Sequence, residues 1–217
     1  MTHAGHSQPS TLKIAILGTG NVAQALGAKW AAHGHEITIG GRSIEKARAA
    51  AAAIGCGVAP SLVAPAVEGA DVVLLAVPWA AVDDVLAQAG APTGALASQT
   101  IIDPTNPVAH GVGRHLLATG SAAEHIASHA PGAHVVKAFN VHPATYWDQA
   151  TPRDVVTIAG SSRESLELAG MLVRHVGATP HPLGGLDRAR QLEEFAATVI
   201  ALAFGGIDPK SSVPGSH

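Results

Sequence analysis

Short uninterrupted runs of apolar residues alternate along this chain with stretches in which apolar residues recur every three or four positions. The short runs are typical of strands that are covered on both faces, and the wider spacing is typical of amphipathic helices. Strands of this kind form parallel sheets with helices on both sides. The pattern therefore predicts an α/β protein with a doubly wound, mainly parallel sheet of the Rossmann type and a small C-terminal helical region.

The positions of these runs give the order of the elements. Strands are predicted at residues 12–17, 35–39, 71–77, 100–103, 134–140 and 154–159. Helices are predicted at residues 22–30, 46–54, 81–89, 121–129, 163–175 and 186–204. The second half of the last helix is apolar on all sides, so it must be buried against the sheet or against another subunit. We expect the second arrangement and hence a homodimer.

These elements divide the chain into four segments. Residues 12–160 are predicted to form a nucleotide-binding Rossmann domain, and residues 161–207 an α/β extension whose last helix serves dimerisation or substrate binding. Residues 1–11 are polar, and residues 208–217 are rich in Pro, Ser and Gly. Such ends are seldom ordered, so both are predicted to be flexible tails.

The turn after the first predicted strand carries the clearest chemical signal. Gly18 permits a tight turn, Gly20 lets a pyrophosphate approach the backbone, and Ala23 keeps the next helix close to the strand. The first N–H groups of that helix point at the turn. A simple βα turn would leave a similar pattern, but the position between a strand and a helix favours dinucleotide binding.

The end of the second predicted strand indicates which dinucleotide binds. Sites for NAD usually place Asp or Glu there, about 20 residues after the glycines, to bind the ribose 2′-hydroxyl. This chain has Arg42 and Ser43 instead, with Lys46 one turn further on. A guanidinium pairs with a 2′-phosphate that a carboxylate would repel, and a hydroxyl can donate to it. The sequence therefore predicts NADP(H).

The composition of the whole chain excludes several classes of protein. Of its 217 residues 47% are hydrophobic and 13% are charged, which is typical of a globular protein with a large core. A formal charge of −3 gives no basic surface for nucleic acid. No apolar stretch approaches the roughly 20 residues that span a bilayer. The single cysteine excludes an internal disulfide and fits the reducing cytoplasm, so we expect a cytoplasmic protein with no nucleic-acid or membrane partner.

The 13 histidines raise the question of a metal site. His125 and His129 are four residues apart on one predicted helix, and His134 lies beyond it. A zinc site needs three or four convergent ligands with supporting hydrogen bonds, and no cysteine is nearby. We therefore predict no metal site and a solvated surface that carries these histidines.

Six motifs follow one another as in a known family: GTGNVA, GGRS followed by EKA, LLAVPW, IIDPTNP, VVKAFN and GGLDRARQLE. Over residues 12–205 the chain thereby resembles the coenzyme F420-dependent NADP reductases. The resemblance implies a Rossmann domain in which NADP lies across the strand ends. It also implies hydride transfer between NADP(H) and the deazaflavin coenzyme F420, which would be the second substrate.

The resemblance also implies where each part of the dinucleotide binds. The implied contacts are Thr19, Gly20, Asn21 and Val22 for the pyrophosphate, Arg42, Ser43 and Lys46 for the 2′-phosphate, and Val77, Pro78, Trp79 and Ala138 for the nicotinamide and its ribose. The deazaflavin would lie on the exposed nicotinamide face, near Asn140 and the last helix. Val77, Asp103 and Asn140 all follow predicted strands, whose carboxyl ends bind ligands in open α/β sheets.

Two segments depart from the family pattern beside the second-substrate pocket. Residues 141–147, VHPATYW, are bulkier and more aromatic, and the chain ends without an apolar Gly-Ile tail. Two alternatives therefore stay open. One is a reductase of a small carbonyl or imine, in which His142 or Tyr146 would donate the proton that such a product needs. The other is a non-catalytic NADP-binding sensor.

Two arginines at the start of the last predicted helix have two interpretations. Arg188 and Arg190 either face an anionic substrate or form surface ion pairs with Glu193 and Glu194. No catalytic triad or carboxylate dyad is visible in the sequence. Direct hydride transfer requires neither.

Overall fold

The computed structural model describes residues 11–109 and 111–212. Its strands are β1 (Lys13–Leu17), β2 (Glu36–Gly41), β3 (Ala59–Leu62), β4 (Val72–Leu75), β5 (Thr100–Asp103), β6 (Val108–Ala109), β7 (Arg114–His115), β8 (His134–Lys137), β9 (Val155–Gly160) and β10 (Thr179–Gly184). Its α-helices are α1 (Asn21–Ala32), α2 (Ile44–Ile54), α3 (Val63–Ala66), α4 (Val82–Gln88), α5 (Ala122–His129), α6 (Arg163–His175) and α7 (Ala189–Phe204). None of these described helices combines the length and the apolar character that a bilayer crossing requires.

Eight strands form one sheet in the order β10-β9-β8-β5-β4-β1-β2-β3. From β3 to β8 all neighbours are parallel, whereas β9 is antiparallel to β8 and β10 is parallel to β9. The predicted Rossmann-type sheet is therefore confirmed. The chain runs from β1 towards one edge of the sheet through β2 and β3, and towards the other edge through β4, β5 and β8, so the order reverses between β1 and β4. Ligands of such sheets bind at the carboxyl ends of the strands beside this reversal.

Both faces of the sheet are covered, as the uninterrupted apolar runs predict. Ile14 and Ile16 of β1 lie in a core with residues of α1, α2 and α6. Ala15 and Leu17, which alternate with them, lie in a second core with residues of α3, α4 and α5. Because successive side chains of a strand point to opposite faces, a strand between two cores must be apolar throughout.

The sequence pattern missed the two edge strands of this sheet. β3 contains Pro60, β10 contains Pro180 and Pro182, and both strands are largely exposed. Proline lacks the N–H that a central strand needs, so it is tolerated at sheet edges. Neither strand therefore has the apolar run that identifies a central strand. The antiparallel pair of β6 and β7 was also missed, because two residues on each strand are too few for periodicity.

Two central strands end earlier than predicted. β4 ends at Leu75 rather than at residue 77, and β8 ends at Lys137 rather than at residue 140. In the second case Phe139 has a φ of +63°, a left-handed conformation that is incompatible with a strand although the side chain is apolar. The residues that follow both strands therefore lie in loops at the carboxyl edge of the sheet.

The last predicted helix is a 3-10 turn, Leu186–Arg188, followed directly by α7. One side of α7 is buried in the chain through Leu192, Ala196 and Ala197. The C-terminal end is not enclosed, since Phe204 is 65% exposed. Packing among the described residues buries one side of this apolar helix, and the homodimer stays a prediction.

The two predicted tails lie mostly outside the described residues. Residues 1–10 and 213–217 are not described, and Pro209–Ser212 forms a short 3-10 helix. The flexibility of both ends therefore stays a prediction.

Gly18, in the turn after β1, occupies a position that no other residue type can take without strain. Its φ is +128°, and a Cβ on it would lie 2.1 Å from the carbonyl oxygen of Ala76. We expect Gly18→Ala to lower the free energy of unfolding by more than about 2 kcal/mol, because the backbone clash adds to the strain of the positive φ. Urea unfolding measures this loss.

Gly20→Ala is the matched control for that variant. A Cβ on Gly20 would meet no atom within 4 Å, and its φ is −81°. We expect its free energy of unfolding to change by less than about 1 kcal/mol. Equal losses for the two variants would contradict the role assigned to Gly18.

Candidate active site

Two cavities adjoin each other at the carboxyl edge of the sheet. The first cavity, of about 260 Å³, lies beside the turns after β1 and β2. The second cavity, of about 560 Å³, lies between the loops after β5 and β8 and the C-terminal half of α7. Gly20, Val77 and Pro78 line both, so one extended ligand can fill the first cavity and reach into the second.

The turn after β1 brings Thr19 and Gly20 to the wall of the first cavity. A Cβ on Gly20 would point into open space, so a ligand can approach the backbone itself. Among residues 11–109 and 111–212 no side chain caps the N-terminus of α1, so the backbone N–H groups of Asn21 and Val22 have no such partner there. N–H groups at helix N-termini bind phosphate oxygens. The turn therefore fits a pyrophosphate.

The other end of the first cavity is cationic. Arg42 and Lys46 line it, and neither side chain forms an ion pair or a hydrogen bond with the described residues. Ser43 accepts a hydrogen bond from the Lys46 N–H at 3.3 Å and donates its own proton to Glu45 at 2.8 Å, which lowers the pKa of Glu45. Two cations without partners fit a phosphate group. The Ser43 hydroxyl must first break its hydrogen bond to Glu45 before it can donate to that phosphate.

Apolar side chains form most of the second cavity. They come from the start of α1, the loops at the sheet edge and α7: Val22, Ala76, Val77, Pro78, Pro104, Phe139, Val141, Pro143, Val199, Ile200, Ala203 and Phe204. Its polar lining side chains are Asn21, Asn106, Asn140 and His142. Such a wall suits a flat, largely apolar ring.

A pair of asparagines joins the loops after β5 and β8. Asn106 Nδ2 donates to the Asn140 carbonyl oxygen at 2.6 Å, and Asn140 Nδ2 donates to Asn106 Oδ1 at 3.0 Å and to the Leu192 carbonyl oxygen at 3.1 Å. Asn140 therefore fixes both loops to α7. Its Oδ1 accepts no hydrogen bond from the part of the chain that the structure describes, so it is available to a donor in the cavity.

The left-handed backbone of Phe139 directs Asn140 towards the cavity. A non-glycine residue at such a φ costs about 1–3 kcal/mol, which the surroundings must offset. The Phe139 ring packs edge to face against Trp30 and Trp147, with ring centroids 5.9 Å and 5.3 Å away. Aromatic packing of this geometry is favourable and holds the turn in place.

Beneath these loops lies a buried ion network centred on Lys137. Its Nζ is 2.6 Å from Asp103 Oδ2 and 2.7 Å from Glu193 Oε1, and all three side chains are 0% exposed. Thr105 donates twice to Asp103 Oδ1, so Asp103 Oδ2 depends on Lys137. Glu193 Oε2 also lies 3.0 Å from His115 Nε2. The network thus connects β5, β8 and α7, which surround the second cavity.

Sequence reasoning missed the buried role of Glu193, which one of its two interpretations paired with the nearby arginines at the surface. The pair of Arg190 with Glu194, at 2.8 Å, agrees with that interpretation, whereas Arg188 donates to Gln191 at 2.6 Å. Neither arginine lines the two cavities. The one signal in the sequence was Lys137 itself, because a charge inside an otherwise apolar strand needs a buried partner.

The two candidate catalytic residues occupy different positions. His142 lines the second cavity, and burial lowers its pKa, so the ring is neutral at pH 7. Tyr146 stacks on His142 with ring centroids 4.2 Å apart and does not line either cavity. Its hydroxyl donates to Asp154, and burial together with this hydrogen bond raises the pKa of Tyr146 to about 12. Only His142 is in a position to contact a ligand of these cavities.

Two predicted cofactor contacts lie away from the cavity walls. Trp79 is half-buried, and its ring packs against His125 of α5 with centroids 5.2 Å apart. Ala138 is fully buried in the core between β8 and the Phe139 turn. The remaining predicted contacts all line one of the two cavities: Gly18, Thr19, Gly20, Asn21, Val22, Arg42, Ser43, Lys46, Val77, Pro78 and Asn140.

Sequence comparisons connect the chain to one family of oxidoreductases. A model of the family described as "NADP oxidoreductase coenzyme F420-dependent" matches residues 13–107, which include most of the first cavity. A protein of Methanothermobacter marburgensis named F420-dependent NADP reductase is 33% identical to this chain over 209 residues. That match covers 88% of this chain and 92% of the relative.

Solved structures share the fold. One from Arthrobacter sp. FB24, provisionally assigned as an F420-dependent NADP reductase, has a TM-score of 0.76 at 26% identity, over 90% of this chain and 96% of that chain. A reductive aminase from Aspergillus terreus, solved with NADPH and ethyl levulinate, has a TM-score of 0.65 at 21% identity, over 90% of this chain and 63% of that chain. At that identity the second likeness shows the fold alone.

The ion network yields a stability prediction. Lys137→Met would leave the carboxylates of Asp103 and Glu193 buried without a cation, so we expect the free energy of unfolding to fall by about 3–5 kcal/mol. Adding Glu193→Gln should restore part of the loss, because it removes one of the two uncompensated charges. Urea unfolding at pH 7 measures both effects.

The exposed Lys13 of β1 provides the control. We expect Lys13→Met to change the free energy of unfolding by less than about 0.5 kcal/mol, because its side chain has no buried partner. An equally small loss for Lys137→Met would show that the network contributes nothing to stability.

Proposed function

The chain belongs to the family of coenzyme F420-dependent NADP oxidoreductases and is an NADP-dependent oxidoreductase, and we propose that it transfers a hydride between NADP(H) and a deazaflavin of the coenzyme F420 type. The observation that carries the proposal is the junction of two cavities at Gly20, Val77 and Pro78. Direct hydride transfer needs two rings held face to face and shielded from water. A dinucleotide site that opens into an apolar cavity meets this need.

In this proposal the first cavity holds the adenosine end of NADP(H). The N–H groups of Asn21 and Val22 bind the pyrophosphate, and Arg42 and Lys46 bind the 2′-phosphate. When bound, NADP(H) supplies or accepts the hydride at its nicotinamide ring. Pro78, which lines both cavities, stands beside the passage through which that ring would reach the second cavity.

The second cavity is proposed to hold the deazaflavin. Its volume of about 560 Å³ lies within the range of about 300–1,000 Å³ that is usual for small-molecule sites. Its apolar walls would exclude water from the reacting rings, and Asn140 Oδ1 is available to a ring N–H. The hydride brings a negative charge that the conjugated deazaflavin ring delocalises, and the balancing proton can then be taken up from solvent. The protein therefore needs only to orient the two partners.

Reduction of a carbonyl or imine places the negative charge on a single oxygen or nitrogen, so it requires a proton donor within the site. The second cavity is less suitable for that reaction. Among the described residues that line it, His142 is the one with a titratable side chain. Because burial lowers its pKa, it carries no proton to donate easily at pH 7. The neutral state of His142 therefore supports deazaflavin chemistry over the alternative.

The proposal is tested by mixing the protein with NADPH and oxidised coenzyme F420 and following the loss of the deazaflavin absorbance. We expect turnover with F420 and none with a cyclic imine or a small ketone. Consumption of NADPH only with the imine or ketone would overturn the proposal. NADPH binding without turnover of any acceptor would also overturn it and would indicate a sensor.

Ala203 offers a way to test the second cavity alone. It lines that cavity from α7, is exposed and lies outside the first cavity. We expect Ala203→Trp to raise the KM for F420 at least about tenfold, because the added ring occupies space meant for the deazaflavin. The Kd for NADPH, measured by calorimetry, should stay within about twofold. A changed NADPH affinity with an unchanged KM for F420 would contradict this assignment.

Arg42 is predicted to distinguish NADPH from NADH. Arg42→Ala should raise the KM for NADPH by about 10- to 100-fold, since one charge-assisted contact to the 2′-phosphate is lost. The KM for NADH should change less than about threefold. The control is Arg48→Ala, which removes an exposed arginine of α2 that does not line the first cavity. Equal changes for both nucleotides would show that Arg42 does not contact the phosphate.

We also propose that the protein acts as a homodimer through the exposed apolar end of α7. Phe204 is 65% exposed and Ile207 51%, and they lie at the end of α7 and directly after it. Large exposed apolar side chains are typical of an interface between subunits. Because Phe204 also lines the second cavity, the partner would help to enclose it.

Ile207→Asp should shift the protein towards the monomer mass in analytical ultracentrifugation, because a charge cannot be buried in an apolar interface without a partner. Leu62 is the matched control, since it is 48% exposed but lies on the edge strand β3. Leu62→Asp should leave the mass unchanged. A wild-type protein that sediments as a monomer would refute the dimer.

A further inference from the structure

We propose that Asp83, His125 and His129 form a binding site for a divalent transition-metal ion such as Zn²⁺ on the surface between α4 and α5. One potential ligand atom of each residue lies within 4.8 Å of those of the other two. Within residues 11–109 and 111–212 no other group of three His, Cys, Asp or Glu side chains converges in this way. The inference does not depend on the proposed function.

The two histidines present a pair of nitrogens on one face of α5. They are separated by one helical turn, and their ring centroids are 4.2 Å apart. The Nδ1 atom of His129 lies 2.9 Å from the carbonyl oxygen of His125. Because a carbonyl only accepts, this nitrogen carries the proton, and the lone pair is on Nε2. A backbone carbonyl commonly fixes the tautomer of a metal-binding histidine in this way.

The third ligand comes from a different element and is not adjacent in sequence. Asp83, in the first turn of α4, places Oδ1 2.7 Å from His125 Nε2. The carboxylate accepts here, so the His125 proton is on Nε2 in the absence of metal. Binding through Nε2 moves this proton to Nδ1, which has no hydrogen-bond partner among the described residues. The cost is the loss of one hydrogen bond, and the net charge of the imidazole does not change.

The distances and the donor types suit zinc better than calcium or magnesium. Metal–ligand bonds of about 2.0–2.2 Å separate the ligand atoms of a tetrahedral site by about 3.4 Å. The three ligand atoms now lie within 4.8 Å of one another, and side-chain rotation is enough to bring them to that spacing. Such rotation is possible because the side chains of Asp83 and His125 are 67% and 29% exposed. Two imidazoles and one carboxylate, completed by water, form a set that binds Zn²⁺, Ni²⁺ or Cu²⁺ rather than the hard cations.

Calorimetry with Zn²⁺ on chelator-treated protein at pH 7.5 tests the site. We expect one equivalent to bind with a micromolar Kd in the wild type and to be lost in His129→Gln. Asp83→Asn should weaken it at least about tenfold, because the anionic ligand is replaced by a neutral one. His134→Gln, which removes an exposed histidine outside the cluster, should bind zinc as the wild type does. The same stoichiometry and Kd in wild type and His129→Gln would overturn the proposal.

Trp79 provides a second readout at the same place. Its ring contacts His125, whereas Trp30 and Trp147 are both 0% exposed. Cu²⁺ quenches nearby indoles, so we expect saturable quenching of tryptophan fluorescence in the wild type. The quenching should disappear in His125→Gln and persist in His134→Gln. Unchanged quenching in His125→Gln, with circular dichroism showing intact folding, would place the bound metal elsewhere and contradict the proposal.

Discussion

The ion pairs of Lys137 hold together the part of the molecule on which the proposed chemistry depends. A lysine that emerges from a buried strand cannot reach water, so its ammonium must find carboxylates nearby. Asp103 of β5 and Glu193 of α7 provide them, at 2.6 Å and 2.7 Å. Because buried charges tolerate little displacement, these contacts fix α7 relative to the sheet edge. The position of α7, which forms one wall of the second cavity, therefore depends on buried ion pairs as well as on apolar packing.

Above this network, two local features prepare the site. The turn after β1 presents unpaired N–H groups, and no atom blocks the approach of a ligand to Gly20. The left-handed backbone of Phe139 directs the Asn140 amide to the wall of the second cavity. Each of these two features is held in place by residues that are distant in sequence. The turn depends on the close approach of Ala76 to Gly18, and Phe139 depends on two tryptophans. The two cavities meet between these features, which is the arrangement that direct transfer between two rings needs.

The sequence predicted the central strands, the NADP-type turn residues and the loops of the site, because burial and phosphate binding both leave local patterns. It missed β3 and β10, since edge strands with prolines have no apolar run. It did not predict the burial of Glu193, because nothing local distinguishes that residue from Glu194. It did not bring Asp83 together with His125 and His129, because Asp83 is far away in sequence and becomes a neighbour only through the packing of α4 on α5. Contacts between elements are what a single sequence does not reveal.

The central claim is that one dinucleotide lies across both cavities and presents its nicotinamide to a ring in the second. A crystal structure of the protein with NADP⁺ and oxidised coenzyme F420 tests it most directly. The account predicts the 2′-phosphate beside Arg42, the nicotinamide beside Val77 and Pro78, and the deazaflavin stacked on it within the walls formed by Asn140 and α7. A nucleotide that enters with its nicotinamide at Arg42, or a deazaflavin bound outside the second cavity, would contradict the account.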